Sequence, residues 1–258
     1  MKIAVCVKQV PDTETKIKLK PDNSGIDSAA VKWVVNPYDE HAIEEAIKLK
    51  EANAGSAVFI FTVGPKARSS EVLRTALAMG ADEGVIIDAT EGADNFLTAQ
   101  ALAAAIKKEG PFDLVLTGKL AIDDNAASVS QMVANDLAIP HVTVVSKLTV
   151  VGSALTAERE IEGGTKEIVE IALPALVGAN KGLNMPRYAS LPGIMKAKKK
   201  VLKEFDLAGL AVDAGKSRVK YSNFKLPPEK PAVKMLAGDF NTQSHELARL
   251  LREESKVI

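Results

Sequence analysis

The first half of the chain alternates short runs that are apolar at nearly every position with segments whose apolar residues recur at helical spacing. The runs are Ile3-Ala-Val-Cys-Val7, Val58-Phe-Ile-Phe61, Gly84-Val-Ile-Ile87 and Asp113-Leu-Val-Leu-Thr117. A strand that is apolar on both sides must be covered on both sides. Alternation with helices then selects a three-layer α/β fold around a parallel sheet. Right-handed crossovers place the ligand crevice of such a sheet outside the carboxyl ends of its strands.

The helices between these strands carry local signals. Asn36-Pro37 suits the cap and first position of a helix. Ala42, Ile43, Ala46 and Ile47 then fall on one side, with Glu44, Glu45 and Lys48 on the other. Val72, Leu73, Ala76 and Leu77 mark a second helix that Gly80 ends. Phe96 to Ile106 reads as a third, and residues 126–138 as a fourth, followed by a strand over Val142–Val145. Lys16–Lys20 alternates polar and apolar ahead of an Asp22–Gly25 turn, a small hairpin pattern.

After residue 146 the pattern changes. Lys147–Val151, Ala154–Glu160 and Lys166–Ala172 read as successive antiparallel strands, with Glu162-Gly-Gly164 supplying a tight turn. Beyond Pro174 the sequence reads as irregular, and a last helix spans about Gln243–Glu254 with Leu247, Leu250 and Leu251 on one face. The expected division is an α/β domain over 1–199 and an extension over 200–258.

Composition narrows the function classes. Lys+Arg and Asp+Glu are both 33, giving zero formal charge, and aromatics are 4%. Neither a basic electrostatic footprint nor an aromatic stacking platform for nucleic acid is present, so no nucleic-acid partner is expected. A single cysteine excludes an intramolecular disulfide and a cysteine-cluster metal site. No apolar run approaches the ~20 residues that span a bilayer. The N-terminus carries no secretory h-region with a small-residue cleavage site. Together these give the expectation of a cytoplasmic protein without membrane insertion or a bound metal.

The chain has no G-x-G-x-x-G, Walker A, G-x-S-x-G or H-E-x-x-H motif. His41, His141 and His245 sit in unrelated contexts, and Cys6 lies inside a strand as a small hydrophobe. No catalytic residue is expected. The loops after the strands are more suggestive. Gly118-Lys-Leu-Ala-Ile-Asp-Asp-Asn125 follows one strand and leads to a helix, Gly64 follows another, and Asn36-Pro-Tyr-Asp39 opens the first helix. Helix N-termini favour phosphate, and Asp123 or Asp124 would accept from ribose hydroxyls. The same residues also read as ordinary caps and loops. Residues 182–200 combine prolines with apolar Leu191, Ile194 and Met195 and then Lys196, Lys198, Lys199 and Lys200. This is either a docking knob for an acidic partner or a solvated connector.

Several of these stretches together resemble the beta subunits of electron transfer flavoproteins. The longest runs from Ala157-Glu-Arg-Glu-Ile-Glu-Gly-Gly164 through Leu183-Asn-Met-Pro-Arg-Tyr-Ala-Ser-Leu-Pro-Gly-Ile-Met-Lys-Ala-Lys-Lys-Lys200. Val5-Cys-Val-Lys-Gln-Val-Pro-Asp12, Val35-Asn-Pro-Tyr-Asp-Glu40, Arg74-Thr-Ala-Leu-Ala-Met-Gly-Ala-Asp82 and Gly118-Lys-Leu-Ala-Ile-Asp-Asp124 continue it. The resemblance implies a Rossmann-like fold of the adenine-nucleotide-binding type, extended by an antiparallel hairpin and a C-terminal tail that embraces an alpha subunit. It implies that FAD sits mainly in that alpha subunit, that this chain holds a structural AMP, and that acyl-CoA dehydrogenases dock on it. Electrons would then pass to a quinone oxidoreductase.

Carried over by position, AMP would meet Cys6, then Asn36, Pro37, Tyr38 and Asp39, then Val63. The rest of its site would be Gly118, Lys119, Leu120, Ala121, Ile122, Asp123, Asp124, Asn125, Ala126, Ala127, Ser128 and Val129. Docking would fall on Tyr188, Leu191, Pro192, Ile194, Met195 and Lys196. Family members with AMP commonly have Asn-Gln-Thr-Gly-Gln-Met after the paired aspartates, where this chain has Ala126-Ala-Ser-Val-Ser-Gln-Met132. That change leaves backbone N–H groups and Ser128 or Ser130 for the phosphate. Two rival functions stay open: a subunit of an electron-bifurcating flavoprotein with its own FAD and NADH, and a stand-alone nucleotide-binding regulator.

Overall fold

A computed structural model describes residues 1–258. The chain first lays down strand β1 (Lys2–Cys6), then a short antiparallel pair, β2 (Gln9–Pro11) and β3 (Trp33–Val35). Helix α1 (Pro37–Ala52) leads to β4 (Ala57–Gly64), α2 (Lys66–Met79) to β5 (Glu83–Asp88), and α3 (Asn95–Glu109) to β6 (Leu114–Gly118). Next come α4 (Val129–Leu137), β7 (His141–Val151), β8 (Ala154–Glu160), β9 (Lys166–Ala172) and β10 (Ala175–Ala179). Helix α5 (Leu191–Lys199), β11 (Lys203–Asp206) and α6 (Phe240–Glu253) complete the chain.

Nine strands form one sheet in the order β11-β5-β4-β1-β6-β10-β7-β8-β9, and every pairing from β11 to β7 is parallel. Helices α1, α2 and α5 cover one face over Ile3, Val5, Ile60 and Leu116; α3 and α4 cover the other over Ala4, Phe61, Val115 and Leu176. The expected three-layer architecture is therefore present. From β1 the chain winds outward to β4 and β5, then returns to place β6 on the opposite side of β1. The reversal lies between β1 and β6, and a crevice opens there at the strands' carboxyl ends.

Four local readings need correction. The segment after Pro174 is not irregular: Ala175–Ala179 is a fully buried strand between β6 and β7. The expected strands 142–145 and 147–151 are one continuous strand, β7. Its first part runs parallel to β10 and its second antiparallel to β8. A bulge makes the change of partner possible: Val144 takes a left-handed φ of 65°. Gly178 faces this bulge, where a Cβ would lie 2.9 Å from Thr143 Cγ2. The fourth helix begins at Val129 rather than 126. The hairpin expected from Lys16–Lys20 and the Asp22–Gly25 turn is reduced to a single bridge, Leu19 to Ile26.

The sheet continues past residue 199, because β11 pairs with β5. Beyond it, Asp94 in the loop before α3 accepts from the backbone N–H groups of Arg218 (2.5 Å) and Val219 (2.9 Å) while also capping α3 at Leu97 N (2.8 Å). Burial alone would push the Asp94 carboxyl up; these N–H donors outweigh it and leave it below the usual range. No helix is long and apolar enough to cross a membrane.

Candidate functional site

The crevice between β1 and β6 is a cleft of about 540 Å³, within the range of about 300–1,000 Å³ typical of small-molecule sites. Of the residues expected to meet a nucleotide, Cys6, Asn36, Asp39, Val63, Gly118, Lys119, Leu120, Ala121, Asp123, Asp124, Ala126, Ala127, Ser128 and Val129 line it. Pro37, Tyr38, Ile122 and Asn125 do not. Tyr38 lies behind the wall, its ring 4.9 Å from Lys119 Nζ.

The wall is held by Asn36 and Asp39 at the start of α1. Asn36 is not the side-chain cap its position suggests. Its Nδ2 donates to Asp39 Oδ1 (2.9 Å) and to Leu120 O (2.8 Å), and its Oδ1 accepts from Ile122 N (3.2 Å). Asp39 also accepts from Gly118 N (3.0 Å) and Lys8 N (2.7 Å). Two side chains thus tie the ends of β1 and β6 to one helix N-terminus. Burial pushes the Asp39 carboxyl up to about 7, against the pull of these hydrogen bonds. Burial, with the Asp39 charge beside it, also pushes the Cys6 thiol far up, which makes it an inert thiol of the core.

Gly118 serves this junction as well as lining the cleft. A Cβ there would lie 2.7 Å from Tyr38 Cβ and 2.9 Å from Asp39 N. Asp123 and Asp124 are engaged by Lys8 Nζ at 2.8 and 3.4 Å. The loop then bends through left-handed conformations at Asn125 (φ 53°) and Ala127 (φ 47°) and enters α4, whose first turn has no side-chain cap. Open N–H groups and the positive helix end therefore face the cleft beside Ser128. Ser130 is not free to assist, since its hydroxyl is buried against Thr117 Oγ1 (2.7 Å) and Gly118 O (3.3 Å). Ser128 Oγ accepts from Asn95 Nδ2 at 3.3 Å and lines the cleft.

The rest of the cleft lining carries no signal in the sequence. It comes from Gln9 and Trp33 of the short antiparallel pair, Arg68 of α2, residues 90–95 before and at the start of α3, and Tyr221 and Phe224 of the C-terminal segment. No motif marks these positions; only the topology brings them together.

The 182–199 stretch is helical over its second half. Ser190 caps α5 by accepting from Gly193 N (3.2 Å). Gly193 and Ala197 face α2, where a Cβ on Gly193 would meet Ala78 O. The opposite face presents Leu191, Ile194 and Met195, and Leu191 is 74% exposed. Tyr188, 98% exposed, stands one turn before, and Pro192 and Lys196 are also exposed. Arg187 anchors the approach: it donates to both Glu44 oxygens (2.8 and 2.9 Å) and to both Glu51 oxygens (2.6 and 3.0 Å). The Glu51 and Glu44 carboxylates hold its guanidinium firmly protonated.

Comparison with known proteins decides the family. The electron transfer flavoprotein domain matches residues 24–210. The chain is 44% identical over 263 residues to the electron transfer flavoprotein subunit beta of Bacillus subtilis, covering 100% of each. The chain belongs to the electron transfer flavoprotein beta-subunit family. The human subunit beta is 42% identical over 236 residues, which is 90% of this chain and 91% of that one. The subunit beta of Syntrophomonas wolfei is 40% identical over 257 residues, 100% of this chain and 98% of its own. As a member of the electron transfer flavoprotein family, the chain is a component of electron transport.

Proposed function

We propose that this chain is the scaffold half of a heterodimeric electron carrier. An alpha-type partner holds FAD, which takes electrons from an acyl-CoA dehydrogenase and gives them to a quinone oxidoreductase. This chain contributes no acid, base or nucleophile; it binds a structural AMP and presents the dehydrogenase with a docking surface. The reading is carried by the cleft at the strand reversal. Its uncapped α4 N-terminus suits a phosphate, and the Asp123–Asp124 pair beside it suits ribose hydroxyls. The chain's residues hold the nucleotide through backbone groups, so the loss of the family's side-chain donors in the altered 126–131 loop weakens the site without removing it.

Acid release of ligand from the purified heterodimer tests this. One FAD and one AMP are expected per heterodimer. Two FADs would replace the reading with an electron-bifurcating subunit, and a stable chain that ignores any alpha partner would replace it with a free-standing regulator. The docking part has its own test. Burying one leucine contributes roughly 1.5–3 kcal/mol, which is about 10- to 100-fold in affinity. Leu191→Ala should therefore weaken reduction by the dehydrogenase at unchanged FAD content, and unaltered electron transfer would refute the assignment of α5.

A further inference from the structure

Helix α5 carries the exposed Leu191, yet very little of the helix itself is buried. It has nine residues, of which Ala197 alone is buried. An isolated helix shorter than about 12–15 residues is marginal in water, so tertiary contacts must keep α5 in shape. With so small an apolar footprint, polar contacts set the angle at which it stands on α2.

Those contacts form a reciprocal latch at its C-terminal end. Arg74, half-buried in α2, donates from Nη1 to Ala197 O and to Lys200 O (2.6 Å). Lys200, the residue that ends α5, donates from Nζ to Ala81 O (2.9 Å) and Asp82 O (2.6 Å), the carbonyls that follow α2. The last carbonyls of a helix lack an intrahelical partner and form the negative end of its dipole, so a cation is the fitting donor. Each element supplies the cation that covers the other's carbonyls. Towards the start of α5, Gly193 lies so close to α2 that a Cβ would meet Ala78 O. The helix is therefore seated at one end by close packing and fastened at the other by two charged side chains.

We propose that Arg74 and Lys200 are positioning residues for electron transfer, which fix α5 so that Leu191, Ile194 and Met195 meet the dehydrogenase already in place. They act through α5, and the proposal rests on the reading of α5 as the docking surface. Fixing a surface in its bound conformation raises affinity by removing the cost of ordering it at encounter.

The test uses the FAD-loaded heterodimer as the varied substrate of the dehydrogenase, with reduction followed by loss of flavin fluorescence. Arg74→Met keeps the apolar stem and removes the donors. KM for the heterodimer should rise about tenfold, with kcat and FAD content unchanged. Lys200→Met should act in the same direction, and it carries the test if Arg74→Met does not retain its FAD. Both should speed hydrogen exchange in the backbone of residues 194–199. In a Leu191→Ala background the effect of either variant should largely disappear, because the anchor they position is gone. If Leu191→Ala raises KM but neither latch variant does, the latch is overturned and the docking surface stands. A latch effect that falls on kcat alone, or that is equally large without Leu191, would also overturn it. If Leu191→Ala itself changes nothing, the docking reading falls and the latch with it.

Discussion

Gly118→Ala puts the junction beneath the cleft under direct test. The added methyl would lie 2.7 Å from Tyr38 Cβ and 2.9 Å from Asp39 N, and would also press on Asp39 Oδ1. Ordinary carbon contacts need about 3.5–4.0 Å, so the end of β6 and the start of α1 must separate by nearly 1 Å. Two of these three obstructing atoms are a backbone nitrogen and a Cβ, which no change of rotamer can move. Overpacking of this kind costs about 1–3 kcal/mol. Weakening of the 3.0 Å bond from Gly118 N to Asp39 adds about 1 kcal/mol more. The expected loss is about 2–4 kcal/mol, a large share of a typical stability of about 5–15 kcal/mol. Urea unfolding followed by the emission of Trp33, the chain's single tryptophan, measures it. Gly25→Ala is the control, since nothing lies within 4 Å of a Cβ there. If Gly118→Ala stays within about 0.5 kcal/mol of the wild type, the junction is not the tight seam described above.

Three further outcomes follow from the same geometry. The folded-state carboxyl of Asp39 titrates near 7 against an ordinary 3.8, so between those values the folded chain keeps a proton that the unfolded chain has released. Stability should fall as pH rises from about 4 to about 7, by about 4 kcal/mol at most, and level off above. Urea midpoints at several pH values should show this slope vanish in Asp39→Asn; a slope that persists would assign it to other groups. Asp94→Ala removes the acceptor for Leu97, Arg218 and Val219 N–H. It should cost about 1 kcal/mol and speed hydrogen exchange at residues 218–219, and unchanged exchange there would show that the clip is not what holds the segment. Arg187→Lys replaces a four-bond fork with a point charge. About 1 kcal/mol should be lost, with faster proteolysis between residues 182 and 190; equal cleavage rates would count against the anchor.

The elements legible in the sequence were those with a period and a punctuation mark. Helix α1 carried Asn36-Pro37 and a four-residue apolar stripe, and α2 carried Gly80, so both were visible without tertiary information. Strand β10 was not. Ala-Leu-Val-Gly-Ala is short and made largely of small residues, and its place between β6 and β7 depends on contacts some sixty residues away. Strand β11, Lys-Glu-Phe-Asp, is a polar edge strand with no apolar alternation. The cleft divided along the same line. Its near wall consists of loops directly after strands, where fold-level reasoning looks for ligands. The rest of its lining draws on β2, β3, α2 and residues 221–224, each without a local signal. Ser130 shows the limit of residue type as a guide: a hydroxyl next to a candidate phosphate site turned out to be bonded inward to Thr117.

Strand β7 has a mechanical corollary. Its eleven residues span about 35 Å, and one end lies in the central sheet while the other is the root of the β8–β9 hairpin. No linker intervenes, so the projecting hairpin cannot swivel as an independent arm. A load applied to its tip is transmitted along one unbroken polypeptide to the row of bonds shared with β10, the strand next to β6 at the edge of the cleft.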